Sequence, residues 1–76
     1  MTTVFVSGGF DPLHSGHIEY FKAAKKLGDT LVVGLNSDPW LERKKGQAFM
    51  PFEERAKIIE HLEVVDNVML VPDDET

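Results

Sequence analysis

The sequence predicts an α/β domain built on a three-stranded parallel sheet, and three observations lead there. Short β-branched and apolar runs alternate with stretches of helical periodicity in the order β-α-β-α-β. The middle run, Thr30–Asn36, is apolar on both faces, the pattern of a parallel strand covered on both sides. Parallel neighbours joined through helices require crossover connections, which are right-handed in such sheets. The expected architecture is therefore a Rossmann-like three-layer sandwich, or one β-α-β-α-β half of it. Ligands of such sheets bind beyond the carboxyl ends of the strands.

Each element has its own signal. Thr3-Val4-Phe5-Val6-Ser7 mixes β-branched and aromatic residues and reads as a buried strand. Gly8-Gly9-Phe10-Asp11-Pro12 is a turn. From Ser15 to Leu27 the residues Ile18, Phe21, Ala24 and Leu27 recur every three positions as one apolar helical stripe. Lys25 and Lys26 suit the negative end of that helix, and Gly28 stops it. The second strand follows Asp29. Ser37-Asp38-Pro39 is read as the cap of a short helical turn through Trp40 and Leu41, and Arg43–Phe49 as a polar, basic loop. Pro51 opens the next helix, with Glu53 and Glu54 at its positive end and Phe52, Ala56, Ile59 and Leu62 on its buried side. Val64–Asp66 turns into a third strand, Asn67–Val71, and Pro72 onward reads as a frayed end. Met50 and Met69 are expected to fill gaps in or near the core.

The 76 residues fit one small domain, 1–76. There is no cysteine, hence no disulfide, thiolate metal site or cysteine nucleophile, and a reducing, cytoplasmic setting is compatible. No apolar run approaches the ~20 residues of a membrane span, and no signal peptide is visible. The net charge of −5 is unevenly placed. Residues 1–57 hold all 8 Lys and Arg against 7 acids, leaving +1, while residues 58–76 hold 6 acids and no Lys or Arg, leaving −6. A net acidic chain argues against nucleic acid as a partner. The near-neutral body remains open to a phosphate ligand.

The segment Gly8-Gly9-Phe10-Asp11-Pro12-Leu13-His14-Ser15-Gly16-His17 carries the chemistry. Two glycines admit a ligand to the backbone where a side chain would block it. The helix start presents N–H groups and a positive partial charge. His14 and His17, three apart, share one face of the first turn. This donor cluster suits phosphate oxygens on which charge accumulates during phosphoryl or nucleotidyl transfer. The glycine spacing matches neither a Walker loop nor the dinucleotide fingerprint. Zinc is disfavoured as well, since Gly16 lies between the histidines and no third ligand is evident.

Gly-Gly-Phe-Asp-Pro-Leu-His-Ser-Gly-His resembles the His-x-Gly-His signature of the cytidylyltransferase-like nucleotidyltransferases. That group includes glycerol-3-phosphate, choline-phosphate and ethanolamine-phosphate cytidylyltransferases, heptose-phosphate adenylyltransferase and archaeal-type FAD synthetase. The similarity continues in order through Ala24–Asp29, Gly34–Asp38, Arg43–Gly46, Pro51–Arg55 and Val65-Asp66. It implies a nucleotidyltransferase that joins CTP or ATP to a phosphorylated small molecule and releases pyrophosphate. Mg²⁺ would accompany the triphosphate.

By the same resemblance His14 and His17 would contact the triphosphate and stabilise its transition state. Gly8, Gly9 and Phe10 would offer backbone donors beside the nucleotide. Asp11 would order the loop or orient substrate or metal. Lys44 would reach the phosphates from the basic loop, with Lys45 able to exchange roles with it. Arg55 would support nucleotide or substrate binding. The resemblance also implies a homodimer. It further implies more strands and a serine/threonine-rich phosphate motif, without counterpart in these 76 residues, so a C-terminally truncated domain is expected. That expectation makes a nucleotide-binding or oligomerising module without turnover the alternative.

Overall fold

The computed structural model describes residues 1–72; the expected frayed acidic end, Asp73–Thr76, lies outside the described residues. Three strands and three helices follow one another as β1 (Thr3–Gly8), α1 (Ser15–Lys25), β2 (Thr30–Leu35), α2 (Asp38–Lys45), α3 (Phe52–Glu60) and β3 (Asn67–Leu70). The strands form one sheet in the order β1-β2-β3, both pairs parallel. The Rossmann-like class is as the sequence predicts.

Register and alternation place the core. Val4 lies opposite Leu31, Val6 opposite Val33, and Val33 in turn opposite Val68. Those side chains share a face because strand residues alternate between faces. Phe21 and Ala24 of α1, Ile59 of α3, and the loop residues Phe10 and Val65 pack against it. Phe21, Leu31, Val33, Leu35 and Ile59 are wholly buried, each stabilising by about 1.5–3 kcal/mol. The alternate residues Phe5, Val32 and Met69 stand outside this cluster, and Phe5 and Met69 are about half exposed. Among the described residues α1 and α3 therefore pack on one face of the sheet, whereas the apolar pattern of β2 suggests cover on two.

Several details differ from the sequence reading. β1 alternates exposed and half-buried instead of being buried throughout, because the core packs on only one of its faces. Met69 is on the open face, not in the core. In the α1 stripe Phe21 and Ala24 are buried, but Ile18 is partly exposed and Leu27, in the turn beyond the helix, is exposed. The largest difference is α2. The basic segment read as a loop is helical to Lys45, and Gly46 ends it in the left-handed region at φ 92°. Ser37 caps α2 through a bond from the Trp40 N–H to its hydroxyl, 3.2 Å. Arg43, Lys44 and Lys45 complement the dipole in its last turn. Those residues lack an apolar period, which hid their helicity.

Candidate active site

The ends of β1 and β2 meet at the start of α1. The Asn36 N–H donates to the Gly8 carbonyl at 3.1 Å, extending the ladder past the last residue of β2. The chain then leaves β1 through Gly9 and Phe10 and enters α1 at His14.

His14 is the N-cap of α1, and it forms a capping box with His17. The Gly16 N–H donates to His14 Nδ1 at 3.0 Å, and the His14 N–H donates to His17 Nδ1 at 3.2 Å. The pair thereby satisfies two donors that a helix start leaves orphaned. Because both Nδ1 atoms accept, the hydrogen bonds assign the proton of each neutral ring to Nε2. Each histidine thus offers an Nε2–H donor. The rings stack 4.0 Å apart with an interplanar angle of 26°. The result is two stacked imidazoles at the positive end of a helix.

Phe10 backs this pair. It is 9% exposed, and its ring stands edge-on to His17 at 5.1 Å and to Phe21 at 5.0 Å. Its φ of 50° lies in the left-handed region, which costs a non-glycine residue about 1–2 kcal/mol. Burial of the ring offsets that cost. Burial depresses the His17 pKa below its ordinary value, and the neighbouring His14 lowers it further.

Asp11 faces the other way, toward the segment after α2. Its carboxylate accepts the N–H of Phe49 at 2.7 Å and of Met50 at 2.6 Å. Lys45 Nζ lies 3.1 Å from the same carboxylate and also donates to the Asp11 carbonyl. Burial pushes the Asp11 carboxyl up, but the Phe49 amide, the Lys45 ammonium and the Met50 amide outweigh it and hold the pKa below normal. Asp11 is thus a clasp between the first loop and residues 46–50. Of the two candidate lysines, Lys45 makes this contact, while Lys44 lies on the exposed last turn of α2 with its ammonium 5.5 Å from the Trp40 ring centre.

Arg55 is wholly buried. Its Nε donates to the Met50 carbonyl, one terminal nitrogen to the carbonyls of Gly9 and Asn36, and the other to Asp38 Oδ1 at 2.6 Å. Asp38 Oδ2 in turn accepts the Phe52 N–H at 3.2 Å. That bond caps α3, whose N-cap residue Pro51 supplies no side-chain bond. Asp38 and Asn36 belong to this framework, and sequence reasoning missed both. Asp38 was legible only as a local cap, and nothing in the sequence marks its reach to Arg55.

Among the described residues no group of three or more His, Asp or Glu is placed to hold a metal ion. The Asp11 oxygens are engaged by amides and Lys45. The described side chains therefore do not fit a resident cation. Gly8, Gly9, Phe10, Asp11, His14 and His17 come together at one end of the sheet, with Arg55 beneath them and Lys45 at the side. The arrangement can receive an anion on the two imidazoles and the amides of the α1 start.

Known proteins share this sequence pattern and fold. A family model described as cytidylyltransferase-like matches residues 5–76. The bifunctional protein HldE of Nitratiruptor sp. is 45% identical over 73 residues, covering 93% of this chain. That of Wolinella succinogenes is 47% identical over 76 residues, covering 96%. In both cases the chain spans about 16% of the relative's length. The crystal structure of the lipopolysaccharide core biosynthesis protein from Thermoplasma volcanium matches with a TM-score of 0.92 and 37% identity. The match covers all of this chain and 62% of that one. No helix among the described residues is long and apolar enough to cross a membrane.

Proposed function

The chain belongs to the cytidylyltransferase-like family, and from that premise we propose that it serves nucleotidyl transfer from CTP or ATP to a phosphorylated small molecule. An oxygen of the acceptor phosphate attacks the α-phosphorus. The bond from that phosphorus to the oxygen bridging to the β-phosphate breaks, and pyrophosphate leaves. Mg²⁺ would come with the triphosphate as part of that substrate and would offset phosphate charge. The protein's part is alignment and stabilisation of developing charge.

The observation that carries this reading is the His14–His17 capping box, which engages both Nδ1 atoms and leaves an Nε2–H donor on each ring at the start of α1. Lys44, exposed at the end of α2, is the cation that would reach the phosphates from the side. The likeness to a lipopolysaccharide core biosynthesis protein favours a sugar phosphate as acceptor. The resemblance adds a homodimer, with sedimentation as its check.

Pyrophosphate release with CTP or ATP and a panel of sugar phosphates tests the proposal. Loss of one donor from such a site costs about 10²–10³-fold. His14→Ala and His17→Ala should each show a loss of that order, and unchanged release in both removes the mechanism. Nucleotide binding without turnover is the alternative outcome of the same test. Calorimetric binding of nucleotide with no product over long incubation would support it.

A further inference from the structure

We infer that Arg55 is a positioning residue that sets the peptide orientation at the ends of β1 and β2, so that nucleotide affinity depends on it without contact. The part concerning nucleotide rests on the function proposed above.

Three features lead to this. First, the guanidinium is 0% exposed, and the Phe52 ring lies 5.6 Å from its central carbon. A ligand outside the described residues meets no surface of it. Second, its four bonds reach four separate segments: Gly9 just past β1, Asn36 just past β2, Met50 before α3, and Asp38 at the start of α2. One planar group with a fixed fork of donors can satisfy four such acceptors at once. A lysine offers three donors from a single point and cannot.

Third, the bonds have a directional consequence. In a trans peptide the C=O of one residue and the N–H of the next point in opposite directions. Drawing the Gly9 carbonyl 2.9 Å from Arg55 therefore turns the Phe10 N–H away from the guanidinium. The Asn36 carbonyl, held at 2.8 Å, turns the Ser37 N–H the same way. Arg55 thus sets the aim of amides at the end of the sheet where the two histidines stand. It also holds the residue 46–50 segment at the Met50 carbonyl, while Asp11 holds the same segment at the Met50 amide.

Amide spectra of the nucleotide-free chain, together with calorimetric titration of CTP and ATP, test the assignment. In Arg55→Lys the Phe10 and Ser37 amide resonances should move in the free protein, the Val33 amide should stay, and affinity should fall at least tenfold. Asp38→Asn, a milder change at the same guanidinium, should move the same amides with a smaller loss of affinity; it carries the test if Arg55→Lys does not fold. A loss of affinity with the free-protein Phe10 and Ser37 amides unmoved would mean that Arg55 touches ligand directly, overturning the assignment. Shifted amides with unchanged affinity would reduce Arg55 to structure alone, which also overturns it. If the wild-type chain binds neither nucleotide, the proposed function fails, while the free-protein amides still decide the orientation role.

Discussion

Gly16 and His14 are locked together by distance. The Gly16 N–H donates to His14 Nδ1 at 3.0 Å, and a Cβ built on residue 16 would come within 2.8 Å of His14 Cε1. A methyl group there must displace the ring that caps α1. Alanine also raises helix propensity, by at most ~1 kcal/mol, and loss of the cap costs about 0.5–2 kcal/mol. Gly16→Ala should therefore leave urea stability nearly unchanged while lowering nucleotide affinity as far as His14→Ala does. Equal affinity in Gly16→Ala and wild type would show that residue 16 does not control the ring.

His14 has two separable tasks. Its Nδ1 caps the helix, and its Nε2–H is the proposed phosphate donor. Asparagine caps as well as any residue but carries no donor at the imidazole's reach. His14→Asn is expected to unfold within ~0.5 kcal/mol of wild type, whereas His14→Ala should lose about 1 kcal/mol. Both should lose pyrophosphate release to a similar degree. Retained release in the asparagine variant would assign the effect of alanine to the cap.

Asp11 supports the segment after α2 through charge. Its depressed pKa means that the folded chain binds fewer protons there than the unfolded chain, so the clasp stabilises fully above the unfolded value of ~3.9. That contribution is lost as pH falls through the lower folded value. Asp11→Asn replaces an acceptor oxygen with a donor facing the Phe49 or Met50 amide and should cost about 1–3 kcal/mol near neutrality. Urea titrations should show this gap narrowing below pH 4. A gap independent of pH would place the effect in shape, not in ionisation.

These residues also mark what the sequence made readable. The spacing of His14 and His17 put both on one helical face, and the structure brings them together because three residues nearly complete a turn. Which of Lys44 and Lys45 meets Asp11 was not readable. Adjacent helical residues point ~100° apart, so the answer depends on α2 continuing to Lys45. The sequence singles out Arg55 but does not mark it as buried. Three of its four acceptors are backbone carbonyls, and any residue supplies a carbonyl. The exposure of Phe5 and Met69 was hidden likewise, since an apolar strand pattern does not name what covers each face.

Phe10 stands edge-on to His17 at 5.1 Å and is part of the surroundings that bury it. His17 has a lowered pKa because burial against its surroundings disfavours the imidazolium and the adjacent His14 adds repulsion. Between the folded pKa and the unfolded value of ~6.5, the unfolded chain holds more protons at this position. Stability should therefore decline as pH drops from above 6.5 through the folded value, then level off once both states are protonated. Nitrogen NMR should find His17 neutral at pH 7, with its proton on Nε2 and Nδ1 accepting. Phe10→Leu removes the edge-on ring and should move the His17 midpoint back toward 6.5, weakening the pH dependence of stability. An unmoved midpoint in that variant would place the burial of His17 with neighbours other than Phe10.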